Sequence, residues 1–174
     1  MTDLTLADVS EKMRDIDFAV LTTRTDGGAL AARPMSNNRQ VDFDGDSYFF
    51  TLDSTGTVAD IGKDAQVGLG YQGKSGALGM KPLFITIAGR AELIRDKARF
   101  TEHWTKDLDA WFKDGIDTPG LTLVKVAAER LHYWNGYDQA EIPLKPRGGQ
   151  ADSSAIEQTQ EIAAEERESE RGYQ

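Results

Sequence analysis

The chemistry-bearing residues of this chain are few, and their distribution excludes most familiar catalytic sets. Its 174 residues include no cysteine and two histidines. Without cysteine there is no disulfide, thiolate metal site or cysteine nucleophile. His103 stands beside Trp104, and His132 beside Tyr133 and Trp134. Neither has the clustered nitrogen or sulfur neighbours that a metal site requires, so none is expected. There is no HExxH motif and no G-x-S-x-G nucleophile elbow. Both histidines are therefore read as structural or surface residues. Gly73-Lys74-Ser75 resembles the end of a phosphate-binding loop, but no helical pattern follows it directly. No G-x-G-x-x-G opens a helix, and a dinucleotide site of that type is not expected.

The informative constellation lies between Arg33 and Thr57. Arg33-Pro34-Met35 belongs to a β-type run, Phe50-Thr51 ends another, and Ser54-Thr55-Gly56-Thr57 opens a short helical pattern. An arginine near a helix N-terminus with free N–H groups and hydroxyls makes a competent phosphate site. Pro34 removes a ladder donor and points to an edge or irregular strand. A surface arginine beside an ordinary helix cap explains the same residues without any ligand.

The elements that position these residues are mostly short strands. A helix opens the chain, with Thr5 as cap and Leu6, Val9, Met13 and Ile16 at helical spacing. Residues 18–23 read as a strand that turns at Asp26-Gly27-Gly28 and returns through 29–35. A second hairpin pairs 40–43 with 47–51 across Asp44-Gly45-Asp46. A short helix follows to Ile61, then strands at 66–71 and 83–94 flank a glycine-rich loop at 72–79. Residues 96–113 read as one helix whose Phe100, Trp104, Leu108, Trp111 and Phe112 pack on the sheet. Strands at 121–126 and 130–134 complete the pattern. Only one strand pair is separated by a long helix, which argues for an α+β antiparallel barrel and against a parallel βαβ sheet.

After Tyr137 the composition changes. Pro143, Pro146, Gly148 and Gly149 mark a linker at 138–150, following a domain at 1–137. Residues 151–174 form an acidic tail, disordered or helical, with Ile156 and Ile162 as its bulky aliphatic residues. The formal charge is −9, and residues 150–174 hold seven acids against two bases. The remaining 149 residues carry 22 acids and 18 bases, without the basic stripe that nucleic-acid binding requires. No apolar run approaches the roughly 20 residues of a membrane span, and no secretory leader pattern opens the chain. A cytoplasmic protein is expected, with no nucleic-acid or membrane partner.

The ordered series Leu21-Thr22-Thr23-Arg24, Arg33-Pro34-Met35, Val41-Asp42-Phe43-Asp44-Gly45-Asp46, Tyr48-Phe49-Phe50-Thr51, Gly89-Arg90-Ala91 and Tyr133-Trp134 resembles the general stress protein branch of the pyridoxamine 5′-phosphate oxidase-like family. Trp111-Phe112 before a glycine-containing loop fits the same branch. The resemblance covers roughly residues 4–136. It implies a six-stranded antiparallel split β-barrel with flanking helices, a homodimer, and FMN in two interface clefts. By position, Arg33 would contact the flavin phosphate, and Pro34 and Met35 the ring. Phe50 and Thr51 would line ring and ribityl chain, and Ser54, Thr55 and Thr57 the phosphate side. Trp134 would stand near the flavin, from the second subunit, or else pack in the core.

One departure bears on the cofactor. Gly56-Thr57 stands where such proteins commonly place a lysine. Losing that cation removes a hydrogen bond worth about 1.5–3 kcal/mol, a roughly ten- to hundredfold weakening. Lys74 and Lys81 are the cations near enough in sequence to compensate. The resemblance thus implies an FMN-dependent oxidoreductase of unidentified substrate, with FAD as an alternative flavin. A non-catalytic flavin-binding or sensing stress protein and a flavin-free interaction module are the other readings. Pyridoxamine 5′-phosphate oxidase activity itself is disfavoured, since the chain ends in an acidic tail instead of that enzyme's Arg/His segment.

Overall fold

In a computed structural model of the chain, residues 4–37, 42–73, 82–136 and 138–144 are described. Helix α1 (Leu6–Met13) starts where the sequence places it. Thr5 accepts from the Asp8 backbone N–H, and the Asp8 carboxylate accepts from the Thr5 N–H at 2.9 Å, closing a capping box. Strands β1 (Phe18–Arg24) and β2 (Leu30–Ser36) form the first hairpin, with Gly28 at φ +80° in its turn. A left-handed backbone of this kind suits glycine because it has no Cβ. Next come β3 (Asp46–Leu52), α2 (Gly56–Lys63), β4 (Gln66–Gln72) and β5 (Leu83–Ile94). Then follow α3 (Lys97–His103), two short 3-10 turns at Lys106–Ala110 and Gly115–Asp117, β6 (Leu121–Asn135) and β7 (Asp138–Pro143).

The strands make one antiparallel sheet in the order β2-β1-β4-β5-β6-β3, and β7 pairs with the second half of β6. It curls without closing, and β2 and β3 are the two facing edges of the split. Alternation along β1 and β4 sends Ala19, Leu21, Thr23, Val67, Leu69 and Tyr71 inward. Phe49, Ile85, Val124 and Leu131 join them, and Val9, Met13 and Ile16 pack against this core beside α1. A second, smaller core sits on the other face of β3 and β6. Phe50, Leu121 and Leu123 meet Phe100 of α3 and Leu108 of the first 3-10 turn there.

Several expectations need correction. The sheet has seven strands, not six, because residues 138–143, read as the start of a linker, form β7. β3 does not pair with a strand at 40–43. Asp42 and Phe43 lie in no strand, residues 40–41 fall outside the described segments, and β3 pairs with β6. Phe43 is buried as an anchor whose backbone N–H donates to the Ser10 hydroxyl at 2.8 Å. The helix expected over 96–113 stops at Trp104, whose backbone is extended. The run His103-Trp104-Thr105 consists of weak helix formers, and the chain continues as 3-10 turns. The two last strands are one 15-residue strand.

In the sequence, Gly68 precedes Gly73-Lys74-Ser75 by the interval that a phosphate-binding loop requires. The structure decides against it. Gly68 and Gly70 lie inside β4, paired with β1 on one side and β5 on the other. A strand hydrogen-bonded along both edges cannot wrap its N–H groups around a phosphate. Lys74, Lys81 and most of the glycine-rich loop fall outside the described residues, as do 145–174.

Strand β6 carries a bulge. Ala88 pairs with Arg130 and Gly89 with Ala128, leaving Glu129 extra on β6. A Cβ built on Gly89 would lie 2.3 Å from the Ala127 carbonyl oxygen, nearer than any real contact. Gly89→Ala should therefore destabilise the fold by about 1–3 kcal/mol or more, the usual range for overpacking. Its denaturant midpoint is expected to fall, whereas Gly62→Ala, which meets no atom within 4 Å, should leave it unchanged or raise it.

Candidate functional site

The split between β2 and β3 is a cleft of about 350 Å³. Three of its walls come from regular elements: Arg33 to Ser36 on β2, Phe50 to Leu52 at the end of β3, and Thr55 and Thr57 where α2 begins. Leu108, Trp111 and Phe112 of the 3-10 segment form the fourth, and Phe18 stands at the rim. The lining is mainly apolar, with polar groups at the α2 end.

Local structure explains each position. On β2, Arg33 and Met35 share the inward face with Thr23 of the neighbouring β1, while Pro34 faces out on the edge strand. The turn into α2 is tied down by Asp53. Its carboxylate accepts from Arg95 Nε at 3.0 Å and Nη2 at 2.8 Å, and from the Thr122 hydroxyl at 2.8 Å. Its backbone N–H donates to the Gly120 carbonyl at 2.7 Å. Thr55 holds the N-cap position without a capping bond from its side chain. Its hydroxyl instead donates to the Leu52 carbonyl at 2.8 Å and lies 3.2 Å from the Thr51 hydroxyl. The first-turn N–H groups of α2 are left without side-chain caps and face the anion-favouring end of the helix dipole.

Arg33 does not reach the cleft as a free cation. One guanidinium nitrogen donates to the Thr23 hydroxyl at 2.6 Å, and the other lies 3.2 Å from Asp60 Oδ2 on α2. Thr23 in turn donates to the same carboxylate oxygen at 2.7 Å. Arg33 is nonetheless the single cationic side chain among the described residues that line the cleft.

The aromatic floor is equally determined. Phe50 meets Phe100 and Trp104 edge-on, with centroids 5.7 and 5.0 Å apart, and Phe112 packs on Trp104. Trp111, by contrast, is 64% exposed over the cleft mouth. Nearby, His103 stacks on Tyr48 at 3.7 Å. Burial, reinforced by Arg99 and opposed by Glu102, holds its imidazole below the usual histidine value.

Of the residues singled out in the sequence, Arg33, Pro34, Met35, Phe50, Thr51, Thr55 and Thr57 come together on this cleft. Ser54 is exposed on the turn and does not line it. Trp134 lies on the outer face of β6, with its ring edge on His132 at 5.4 Å. It lines a separate hollow with Gln139 and Glu141 of β7. Sequence reasoning did not assign Phe18, Ser36, Leu52, Leu108, Trp111 and Phe112 to the site. Trp111 and Phe112 were visible as an aromatic pair, but only a broken helix turns them over the cleft. Asp60 had no signal beyond lying on the α2 pattern. Among the described residues, no three His, Asp or Glu side chains gather in a way that could hold a metal ion. No described helix is long and apolar enough to cross a membrane.

An incomplete antiparallel barrel open along one split places the chain in the class of split-barrel proteins. Comparison makes the class specific: the family described as pyridoxamine 5′-phosphate oxidase like matches residues 5–144, and the chain belongs to it. Among solved structures, it is similar to a Clostridium acetobutylicum protein related to general stress protein 26. The TM-score is 0.66 at 19% identity, covering 80% of this chain and 94% of that one. General stress protein 26 of Bacillus anthracis gives a TM-score of 0.63 at 18% identity, covering 78% and 95%. A heme binding protein of Mycobacterium smegmatis gives 0.62 at 19% identity, covering 82% of this chain and 60% of that one. No curated protein matches.

The bonds to Arg95 first, and to Thr122 second, hold the Asp53 carboxyl below its ordinary value of 3.8. A carboxyl with a depressed folded-state pKa stabilises the fold above its unfolded value, and the effect is lost as pH falls through the folded one. Asp53→Asn is therefore expected to lower the thermal midpoint at neutral pH. The gap to the wild type should close as pH drops below about 4. A gap that stays constant with pH would show that the carboxylate charge is not what holds the turn.

Proposed function

We propose that the cleft is a flavin site and that the protein is a cytoplasmic, homodimeric FMN-binding protein of the general stress protein type. The observation that carries this reading is the convergence of Arg33-Pro34-Met35, Phe50-Thr51, Thr55 and Thr57 on one cleft. At about 350 Å³, it falls in the usual range for small-molecule sites. Its donors fit the group in part. Apolar walls suit a flat ring system, while hydroxyls and the uncapped α2 N-terminus suit a polar tail. Met35, Pro34 and Phe50 would hold the ring, and Trp111 would cover it from the mouth and exclude water. Thr51, Thr55 and Thr57 would take the tail. A heme reading is weaker, since among the described residues no His, Cys or Tyr lines the cleft, and Met35 alone there could serve as axial ligand.

A bound flavin supplies hydride and electron transfer, and the protein's part is to bind, orient and tune it. Apart from Arg33, no ionisable side chain lines the cleft among the described residues. The described residues thus offer no general acid or base there. Redox turnover of a small substrate fits this lining, and a flavin carrier or sensor without turnover fits it equally well.

The homodimer rests on the outer face of β1, β4 and β5. Phe18, Val20 and Phe84 are 52%, 47% and 39% exposed there, around a shallow hollow that Gly70 and Thr86 also line. Phe18 belongs to this face and to the cleft rim alike. A second copy seated on the face would complete both.

Titration of the purified protein with FMN should give saturable quenching of flavin fluorescence. Gly56→Lys, at a position where a Cβ meets no atom within 4 Å, should tighten FMN about ten- to hundredfold by restoring a charged donor. Absence of binding by both proteins to FMN and to riboflavin alike would put the interaction-module reading in its place. Sedimentation is expected to show a dimer that Val20→Arg disrupts, and a wild-type monomer that still binds FMN would remove the homodimer from the reading.

A further inference from the structure

We infer that Asp60 sets the charge preference of the cleft: by holding Arg33 in a neutral pair, it makes the site favour a flavin with an uncharged tail over the same flavin bearing a phosphate. This rests on the flavin reading above and names which flavin chemistry the site selects.

The argument begins with the acceptor. Asp60 Oδ2 takes hydrogen bonds from the Thr23 hydroxyl at 2.7 Å and the Arg33 guanidinium at 3.2 Å, and Arg33 also donates to Thr23 at 2.6 Å. The three groups form a closed set. Thr23 is 1% exposed, and the side chains of Arg33 and Asp60 are 22% and 14% exposed. A pair this sheltered is screened less by salt and water than a surface ion pair.

A phosphate entering the cleft would meet Arg33 with its charge already balanced. To take the guanidinium for itself, it must draw Arg33 off Asp60 and leave that carboxylate uncompensated. To share the guanidinium, it must sit near a like charge. Both oppose binding. The first turn of α2 favours an anion, but Asp60 stands on the same short helix, three residues beyond Thr57, and its charge opposes that field. No other cation lines the cleft among the described residues. A tail of hydroxyl groups meets none of these penalties, because Thr51, Thr55 and Thr57 can exchange hydrogen bonds with it while the Arg33–Asp60 pair stays intact.

The test compares riboflavin with FMN on the full-length protein, by fluorescence titration at fixed ionic strength. The wild type is expected to bind riboflavin at least as tightly as FMN. Asp60→Asn, which keeps an acceptor for Thr23 and Arg33 but removes the charge, should shift the affinity ratio at least tenfold towards FMN. Asp60→Ser provides a smaller neutral replacement should the amide fit poorly, and the wild-type comparison needs neither variant. In a flavin-independent arm, inorganic phosphate should raise the thermal midpoint of Asp60→Asn but not that of the wild type. A wild type that binds FMN more tightly than riboflavin overturns the inference, as does a ratio unchanged in both variants or equal stabilisation of all forms by phosphate. If no form binds either flavin while the phosphate arm behaves as expected, the flavin reading falls and the role of Asp60 stands.

Discussion

The close approach of two backbones at Gly89 is the constraint on which the rest of the molecule depends. Strand β6 has to serve three neighbours: β5 along its length, β3 on its first half and β7 on its second. It does so by bending at the extra residue Glu129, and the bend brings the Ala127 carbonyl to where any side chain at position 89 would begin. A straight β6 would leave the sheet flatter, and β3 would not be carried round to face β2. The cleft exists because these two edges come near each other without pairing.

An open split in a β-sheet is ordinarily a hazard, since unpaired edges invite association. Here each edge is managed by a different element. Pro34 interrupts the donors of β2, while β3 is backed by its own small core of Phe50, Phe100, Leu108, Leu121 and Leu123. That second core also anchors the 3-10 segment that carries Trp111 to the cleft mouth. The same packing that protects the edge builds the fourth wall of the site. Trp111 stays exposed because its neighbours Leu108 and Phe112 already occupy the apolar space behind it.

Electrostatics divide along similar lines. Arg95, Asp53 and Thr122 fix the turn into α2 from outside, whereas Arg33, Thr23 and Asp60 fix the middle of that helix against β1 and β2 from inside. Both sets use an arginine and a carboxylate with a threonine hydroxyl between elements far apart in sequence. The outer set is open to solvent and stabilises modestly. The inner set is sheltered, so its charge balance matters for whatever enters the cleft.

Local chemistry was enough to read much of this from the sequence. Thr5 with Leu6, Val9, Met13 and Ile16 announces the first helix, Asp26-Gly27-Gly28 announces the first turn, and the alternation in 66–71 marks β4, because caps, turns and period-2 patterns act over a few residues. Seven of the nine expected ligand-facing residues meet on the cleft for the same reason: they sit on strand ends and a helix start whose directions follow from local pattern. Tertiary structure alone decided the rest. The partner of β3 is 69 or more residues away in sequence, the union of 121–135 into one strand depends on a bulge opposite Gly89, and the placement of Trp111 depends on where α3 stops. The pairing of Arg33 with Asp60 is of this second kind as well: a sequence shows an arginine and an aspartate, but only the curl of the sheet onto α2 brings them within hydrogen-bonding distance and takes the charge of one out of the other's surroundings.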